Sequence, residues 1–222
     1  MDFTLEHFAR LAVILTAMPI HEFAHGYVAT KLGDDTPRLS GRLTLNPIYH
    51  LDIIGTIMIM LFGIGFAKPV PVNPYNFRGN RKRGMALTAL AGPASNIIMA
   101  FIIMIIYKIL LYNSHVFGLV ANVNTLSILS QLFWYMIFIN VSLAVFNLLP
   151  VYPLDGSKIL AYFLPPHIER KIEENGQIIN IALLGILLLG FLDKPISILS
   201  YYLFTGLDKL TSFVDIFFAN FL

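Results

Sequence analysis

Long apolar runs are the feature that most constrains what this chain can fold into. Residues 5–30, 86–111 and 126–149 are apolar along most of their length, and about 20 apolar residues are enough to cross the hydrocarbon core of a bilayer. Hydrophobic residues make up 57% of the chain and charged residues 13%, about half the charged share of a soluble domain. The sequence therefore predicts an all-α membrane protein, a polytopic bundle of transmembrane helices.

Weaker apolar runs complete the predicted bundle and bring it to about 5–6 hydrophobic segments in one membrane-embedded domain, residues 1–222. These runs are 51–67, 178–192 and 196–207. The first is short, is broken by glycines and has basic loops on both sides. Cytoplasmic loops collect Lys and Arg, so a full span would put these two loops on opposite sides. We therefore predict a re-entrant segment around 51–67, with a true span as the alternative.

Charge and cysteine content exclude other classes of protein and of site. The net charge is +2, too small for a nucleic-acid interface, so no nucleic-acid partner is expected. The chain has no cysteine, which excludes a disulfide framework and any Cys-based metal or nucleophile site. A metal would have to be held by His, Asp or Glu.

The first apolar run contains the pattern H-E-x-x-H, residues 21–25. A spacing of four places His21 and His25 on one face of a helix, where they can share a Zn²⁺ ion. Glu22 is then placed to act as general base. This composition predicts roughly 0.004 such matches by chance. Packed core histidines are the alternative, but ionisable residues within a membrane span are costly and usually mark function.

A zinc site needs a third protein ligand and an open position. Asp155 follows the uncharged run 126–149, in a stretch where Pro150, Pro153 and Gly156 interrupt a regular helix. Such a break at membrane depth is tolerated where the backbone lines a cavity. The alternative for Asp155 is a surface turn after a helix, and a site role for His50 also stays open.

The motifs together resemble the site-2 protease family of intramembrane zinc metalloproteases, peptidase family M50. Residues 21–25 and 147–156 match its two metal motifs, and 91–96 is similar to a motif on its middle core helix. Residues 65–74 are similar to the compact prokaryotic subgroup without a PDZ domain. The resemblance implies zinc ligands at His21, His25 and Asp155, a catalytic base at Glu22, and substrate contacts at Asn147 and Asn96.

The resemblance also implies an activity. It predicts an endopeptidase with one Zn²⁺ per chain, which hydrolyses peptide bonds within or next to transmembrane segments of membrane-protein substrates, in regulated intramembrane proteolysis. The expected setting is the lipid bilayer of a prokaryotic cell membrane, with several spans and the active site toward the cytoplasm. The main alternative is a divalent-metal transporter using the same His, Glu and Asp residues. An inactive scaffold is a third possibility, against which the intact Glu22 argues.

Overall fold

The computed structural model describes residues 3–62, 67–117 and 123–220 of the chain. Regular structure within these ranges is helical, without strands, which confirms the predicted all-α class. The α-helices found there are α1 Phe3–Lys31, α2 Thr36–Leu39, α3 Ile53–Phe62, α4 Arg81–Phe117, α5 Val123–Asn147, α6 Asp155–Phe163, α7 Pro166–Glu174, α8 Gly176–Leu188, α9 Asp193–Leu210 and α10 Ser212–Ala219. Short 3-10 turns lie at Pro47–Tyr49 and Pro74–Asn76.

The local sequence explains where the helices next to the predicted site residues begin and end. The helix α4 begins after Asn80, whose side-chain oxygen accepts a hydrogen bond from Arg83 N at 3.0 Å and so caps the free N–H groups of the first turn. The helix α5 ends at Asn147, before Pro150 and Pro153, because proline cannot donate the hydrogen bond that continues a helix. The chain then turns, and α6 begins at Asp155.

Two of the described helices are long and apolar enough to cross a membrane, Arg81–Asn113 within α4 and Asn124–Asn147 within α5. A third span results if Gly176–Leu188 and Asp193–Ala219, bent by 81°, are counted as one. The chain is therefore a helical membrane protein, but the predicted 5–6 segments are not confirmed. The predicted weaker spans 178–192 and 196–207 fall on the two arms of the bent pair.

The first predicted span, 5–30, lies on α1, which is not among the helices counted above. The helix has 29 residues, which corresponds to about 44 Å at 1.5 Å per residue and exceeds the membrane core. Its length is therefore sufficient for a span, which stays a prediction.

The segment predicted to be re-entrant contains the short helix α3. Its 10 residues rise about 15 Å, half the thickness of the hydrocarbon core. On its two sides, Lys68 N donates a hydrogen bond to His50 O at 2.9 Å. The chain positions that flank the segment are therefore neighbours in space. Residues 63–66 of the segment lie outside the described residues.

The helix α4 is the centre of the bundle and packs against α1, α5 and α6, while α5 also packs against α9. The buried core between α4, α5 and α9 consists of Ala100, Ile103, Met104, Ile137, Val141 and Leu207. Small residues such as Ala100 let helices approach closely in a membrane protein. This packing holds α1 and the start of α6 against α4, where the predicted site residues meet.

Candidate metal centre

The histidines of the H-E-x-x-H pattern lie one turn apart on the buried face of α1. Their Nε2 atoms are 3.0 Å apart, and His21 and His25 are only 8% and 9% exposed. The rings meet edge to face, with centroids 4.6 Å apart. Both Nε2 atoms are thus directed at one point between α1 and its neighbours.

Asp155, the first residue of α6, brings a carboxylate to the same point. Its Oδ2 atom lies 3.2 Å from His21 Nε2 and 3.2 Å from His25 Nε2. These three residues form a group that could hold a metal ion, and they are all buried. In a tetrahedral zinc site with bonds of about 2.0–2.2 Å, ligand atoms lie about 3.3–3.6 Å from one another. The observed separations of 3.0–3.2 Å are close to this range.

Hydrogen bonding gives a second argument for a cation. His25 Nδ1 lies 2.7 Å from the carbonyl oxygen of Thr88 in α4. A carbonyl can only accept, so Nδ1 of neutral His25 carries the proton and Nε2 carries a lone pair. That lone pair faces the Asp155 carboxylate, which also only accepts. A cation between these acceptors removes the repulsion, and Thr88 orients the ring as outer partners of metal-binding histidines do.

Glu22 lies beside the three potential ligands but outside their triangle. Its Oε2 atom accepts a hydrogen bond from the backbone N–H of Val70 at 2.9 Å. Val70 belongs to residues 67–73, which we call the Pro-rich segment and which is neither helix nor strand. Glu22 is 9% exposed. A carboxylate fixed at one oxygen by an N–H group keeps its other oxygen available for a proton.

A cavity of about 540 Å³ opens onto these residues. Its wall includes Glu22, both histidines and Asp155 together with Asn96 and Asn147. Asn96 is 1% exposed, and its Oδ1 atom is buried without a hydrogen-bond partner among the described residues. Asn147 donates from Nδ2 to Leu143 O at 3.0 Å on its own helix. Both predicted substrate residues therefore line the same cavity as the potential metal ligands.

Several contributors to the site were not foreseen from the sequence. The contacts of Thr88 O and Val70 N are made by the backbone, so the residue types at these positions do not predict them. Lys158 Nζ lies 3.5 Å from Asp155 Oδ1, on the side of the carboxylate away from the histidines. The spacing of three from Asp155 on α6 could have indicated this pair. Gly92 was part of a recognised motif, but its place against the histidine rings was not foreseen.

Sequence comparisons match the chain to known proteins. The family model described as Peptidase family M50 matches residues 109–191, a stretch that includes Asp155 and Asn147 but not the histidines. Across 161 residues the chain is 44% identical to YwhC of Bacillus subtilis, whose name marks it as a candidate zinc metalloprotease. That alignment covers 72% of this chain and 71% of YwhC.

More distant relatives carry names of the same kind. Rip2 of Mycolicibacterium smegmatis is 28% identical over 71% of this chain and 58% of its own length. MJ0611 of Methanocaldococcus jannaschii is 29% identical over 72% of this chain and 76% of its own length. Both are also named as candidate zinc metalloproteases. No solved structure gives a significant match to the chain.

Proposed function

Because the chain belongs to peptidase family M50, the site-2 protease family, we propose that it is an intramembrane zinc endopeptidase. It hydrolyses peptide bonds within or next to transmembrane segments of other membrane proteins. The observation that carries the proposal is the convergence of His21 Nε2, His25 Nε2 and Asp155 Oδ2 within 3.0–3.2 Å of one another. Three protein ligands with an adjoining cavity are the arrangement of a catalytic zinc site.

His21, His25 and Asp155 would hold one Zn²⁺, which when bound supplies Lewis-acid chemistry by activating water and polarising a carbonyl. Glu22 is the proposed general base. It takes a proton from the attacking water on the carboxylate oxygen that Val70 does not contact, and passes it to the departing amine. General acid–base assistance of this kind contributes about 10²–10⁴ in rate.

A transmembrane substrate presents a specific difficulty, since all its peptide groups are hydrogen-bonded within its helix. The helix must unwind locally before a carbonyl can be attacked. Asn96 and Asn147 line the cavity and offer both donors and acceptors to the freed peptide groups. The extended Pro-rich segment contributes Pro69, Val70 and Val72 to the same wall, where an unwound strand could lie alongside it.

We further propose that residues 1–222 form one membrane-embedded domain with several spans, and that residues 51–67 enter the membrane and return. The hydrogen bond between Lys68 N and His50 O and the short helix α3 support the re-entrant path. Under the positive-inside rule, the basic loops on both sides of the segment and the catalytic residues face the cytoplasm. The named relatives come from bacteria and an archaeon, which supports a prokaryotic cell membrane.

The comparisons give no support to a divalent-metal transporter. A transport path needs polar residues stepping across the membrane. In the part of the chain that the structure describes, the group suited to a metal ion is the single cluster His21, His25 and Asp155. One enclosed cluster with a neighbouring carboxylate fits hydrolysis better than passage of an ion.

The proposal is tested by incubating the purified protein with a panel of single-span membrane-protein substrates in detergent or vesicles. We expect cleavage at or near the transmembrane segment of at least one substrate, loss of cleavage with a zinc chelator, and recovery when zinc is restored. Substitution of the surface residue Arg83 by Gln serves as a control that should leave cleavage unchanged. Zinc uptake into sealed vesicles without any cleavage would instead support transport.

A further inference from the structure

Arg42 is a buried cation whose partners lie in the backbone of the Pro-rich segment. Its residue exposure is 7%. Its Nη2 atom donates to the carbonyl oxygen of Lys68 and, at 3.3 Å, to that of Pro69. No carboxylate lies within ion-pair distance of Arg42 in the described ranges, and its Nε atom is buried without a partner there. A buried guanidinium is normally paired with an acid, so this one calls for an explanation.

The next residue after those carbonyls is Val70, whose N–H reaches Glu22 Oε2 at 2.9 Å. Pro69 and Pro71 have no N–H group, so Val70 supplies the single donor of this tripeptide. In the described part of the chain, no other residue donates a hydrogen bond to the Glu22 carboxylate. The position of the carboxylate therefore depends on the position of one peptide group.

The Pro-rich segment is fixed at both ends as well. Lys68 N donates to His50 O at 2.9 Å, and Asn73 N donates to Asp34 Oδ2 at 2.7 Å. Arg42 acts between these two anchors, directly before Val70. A rotation of the peptide plane between Pro69 and Val70 would move both the Pro69 carbonyl and the Val70 N–H, so the hydrogen bond from Arg42 restrains the donor as well.

We infer that Arg42 is a positioning residue for Glu22. By holding the carbonyls of Lys68 and Pro69, it orients the Val70 N–H, which fixes Oε2 of Glu22 and leaves Oε1 for the proton of the attacking water. Arg42 does not touch the substrate or the metal in this scheme. The inference rests on the proposed role of Glu22 as general base.

A double-mutant cycle on the full-length protein tests the link. Arg42→Met removes the cation at similar length, Val70→Pro removes the N–H, and a third variant carries both changes. Each single change should lower kcat about tenfold, the loss of about 1.4 kcal/mol of transition-state stabilisation, with KM and zinc content unchanged. Because both act through one hydrogen bond, the double variant should be no slower than the slower single variant.

Two matched controls separate positioning from general support of the fold. Arg38→Met makes the same change as Arg42→Met at an exposed arginine outside the cavity wall, whose partner is Asp35 at 2.9 Å, and should leave kcat within about twofold of the wild type. Arg42→Lys keeps a donor for one carbonyl and should recover part of the kcat lost in Arg42→Met. If Val70→Pro loses zinc, the inference is tested on position 42 alone, where kcat should fall in the order Arg, Lys, Met.

The inference is overturned if the losses of kcat in the two single variants multiply in the double variant. It is also overturned if Arg42→Met loses zinc or raises KM, because these results indicate a purely structural role. Full activity of zinc-loaded Arg42→Met would overturn it too. Glu22→Gln is measured in parallel. If Glu22→Gln is inactive while Arg42→Met is fully active, only the positioning role fails. If zinc-loaded Glu22→Gln itself cleaves normally, the proposed function fails.

Discussion

Gly92 in α4 lies against the imidazole ring of His25 in α1, at a separation that leaves no room for a methyl group. A Cβ atom on Gly92 would come within 2.6 Å of His21 Cε1 and closer still to the His25 ring. Heavy atoms do not approach so closely, so one of the helices or rings would have to move. The absence of a side chain at position 92 therefore allows α4 to form the wall behind both histidines.

The first prediction follows from this contact. Gly92→Ala should displace the histidine rings, so we expect a loss of bound zinc and at least a tenfold loss of cleavage activity, the effect of losing about 1.4 kcal/mol of transition-state stabilisation. Zinc per chain, measured by elemental analysis of purified protein, checks this. Gly206→Ala in α9 is the matched control, because a Cβ there meets nothing within 4 Å. Normal zinc content in Gly92→Ala would show that the rings can move aside.

The second prediction concerns Asp34, in the loop after α1. The residue is completely buried, and its carboxylate accepts hydrogen bonds from Thr36, Asn73 and Asn76. Burial by itself would raise the pKa of Asp34, but these hydrogen bonds outweigh it and lower the pKa below its ordinary value. The carboxylate thereby ties the end of α1 to the Pro-rich segment.

The pKa shift has a defined sign in stability. Because the pKa is lower in the folded protein, the carboxylate stabilises the fold fully above the unfolded-state pKa of about 3.9, and this contribution disappears as pH falls through the folded-state pKa. Asp34→Asn should therefore lower the free energy of unfolding by about 1–3 kcal/mol at pH 7, and by less in acid. Thermal unfolding at pH 7 and in acid measures this, with Asp35→Asn, at a half-exposed residue paired with Arg38, as control. An equal loss at both pH values would rule out the charge as the cause.

The third prediction concerns Lys108, far from the metal centre on α4. Its Nζ atom lies 2.6 Å from Asp215 Oδ2 in α10 and 2.9 Å from Asp208 Oδ1 in α9. The lysine side chain is 11% exposed, whereas Asp208 and Asp215 are 53% and 38% exposed. Sixteen residues separate Lys108 from Gly92, about 24 Å along the helix. The cluster therefore fastens the C-terminal helices without touching the site.

Lys108→Met should leave two neighbouring carboxylates without their cation. Loss of one partner of a fully buried ion pair costs about 3–5 kcal/mol, and the exposure of the two acids reduces the expected loss to about 2 kcal/mol. Thermal unfolding in detergent measures the loss, and kcat per zinc-loaded molecule should stay unchanged. Lys209→Met, at an exposed position of α9, should have no measurable effect. A drop in kcat with Lys108→Met would mean that the C-terminal helices act on the site.

The fourth prediction concerns the path of residues 51–67. If the segment is re-entrant, both of its flanking loops lie on the cytoplasmic side. Single cysteines at the exposed positions Ser40 and Arg83 should then react with a membrane-impermeant thiol reagent from the same side, and the chain has no native cysteine to interfere. Arg42 is unsuitable for labelling because it is buried. Labelling of the two positions from opposite sides would make the segment a true span.

The sequence could indicate the parts of this molecule that depend on local spacing. The interval of four between His21 and His25 is enough to place both rings on one face of a helix. The prolines after Asn147 mark where α5 ends, and Asp155 stands where α6 begins. The meeting of these separate elements followed from resemblance to a family, since no local pattern encodes a contact between α1 and α6.

Other features could not be foreseen, for physical reasons. The contacts of Val70 N and Thr88 O are made by the backbone, which every residue carries, and so depend only on the fold. The predicted number of spans is not confirmed, because a hydrophobic run does not fix the helix length or the bend between α8 and α9.

Cleavage by Glu22→Gln, compared with its zinc content, tests the central claim most directly. The amide nearly preserves size and can still accept a hydrogen bond from Val70 N, but it cannot take up a proton from water. We predict one zinc per chain and a fall in kcat of at least about 10², whereas His21→Ala should lose zinc and activity together. Near-normal cleavage by zinc-loaded Glu22→Gln would contradict the account, because the proposed base would then be dispensable.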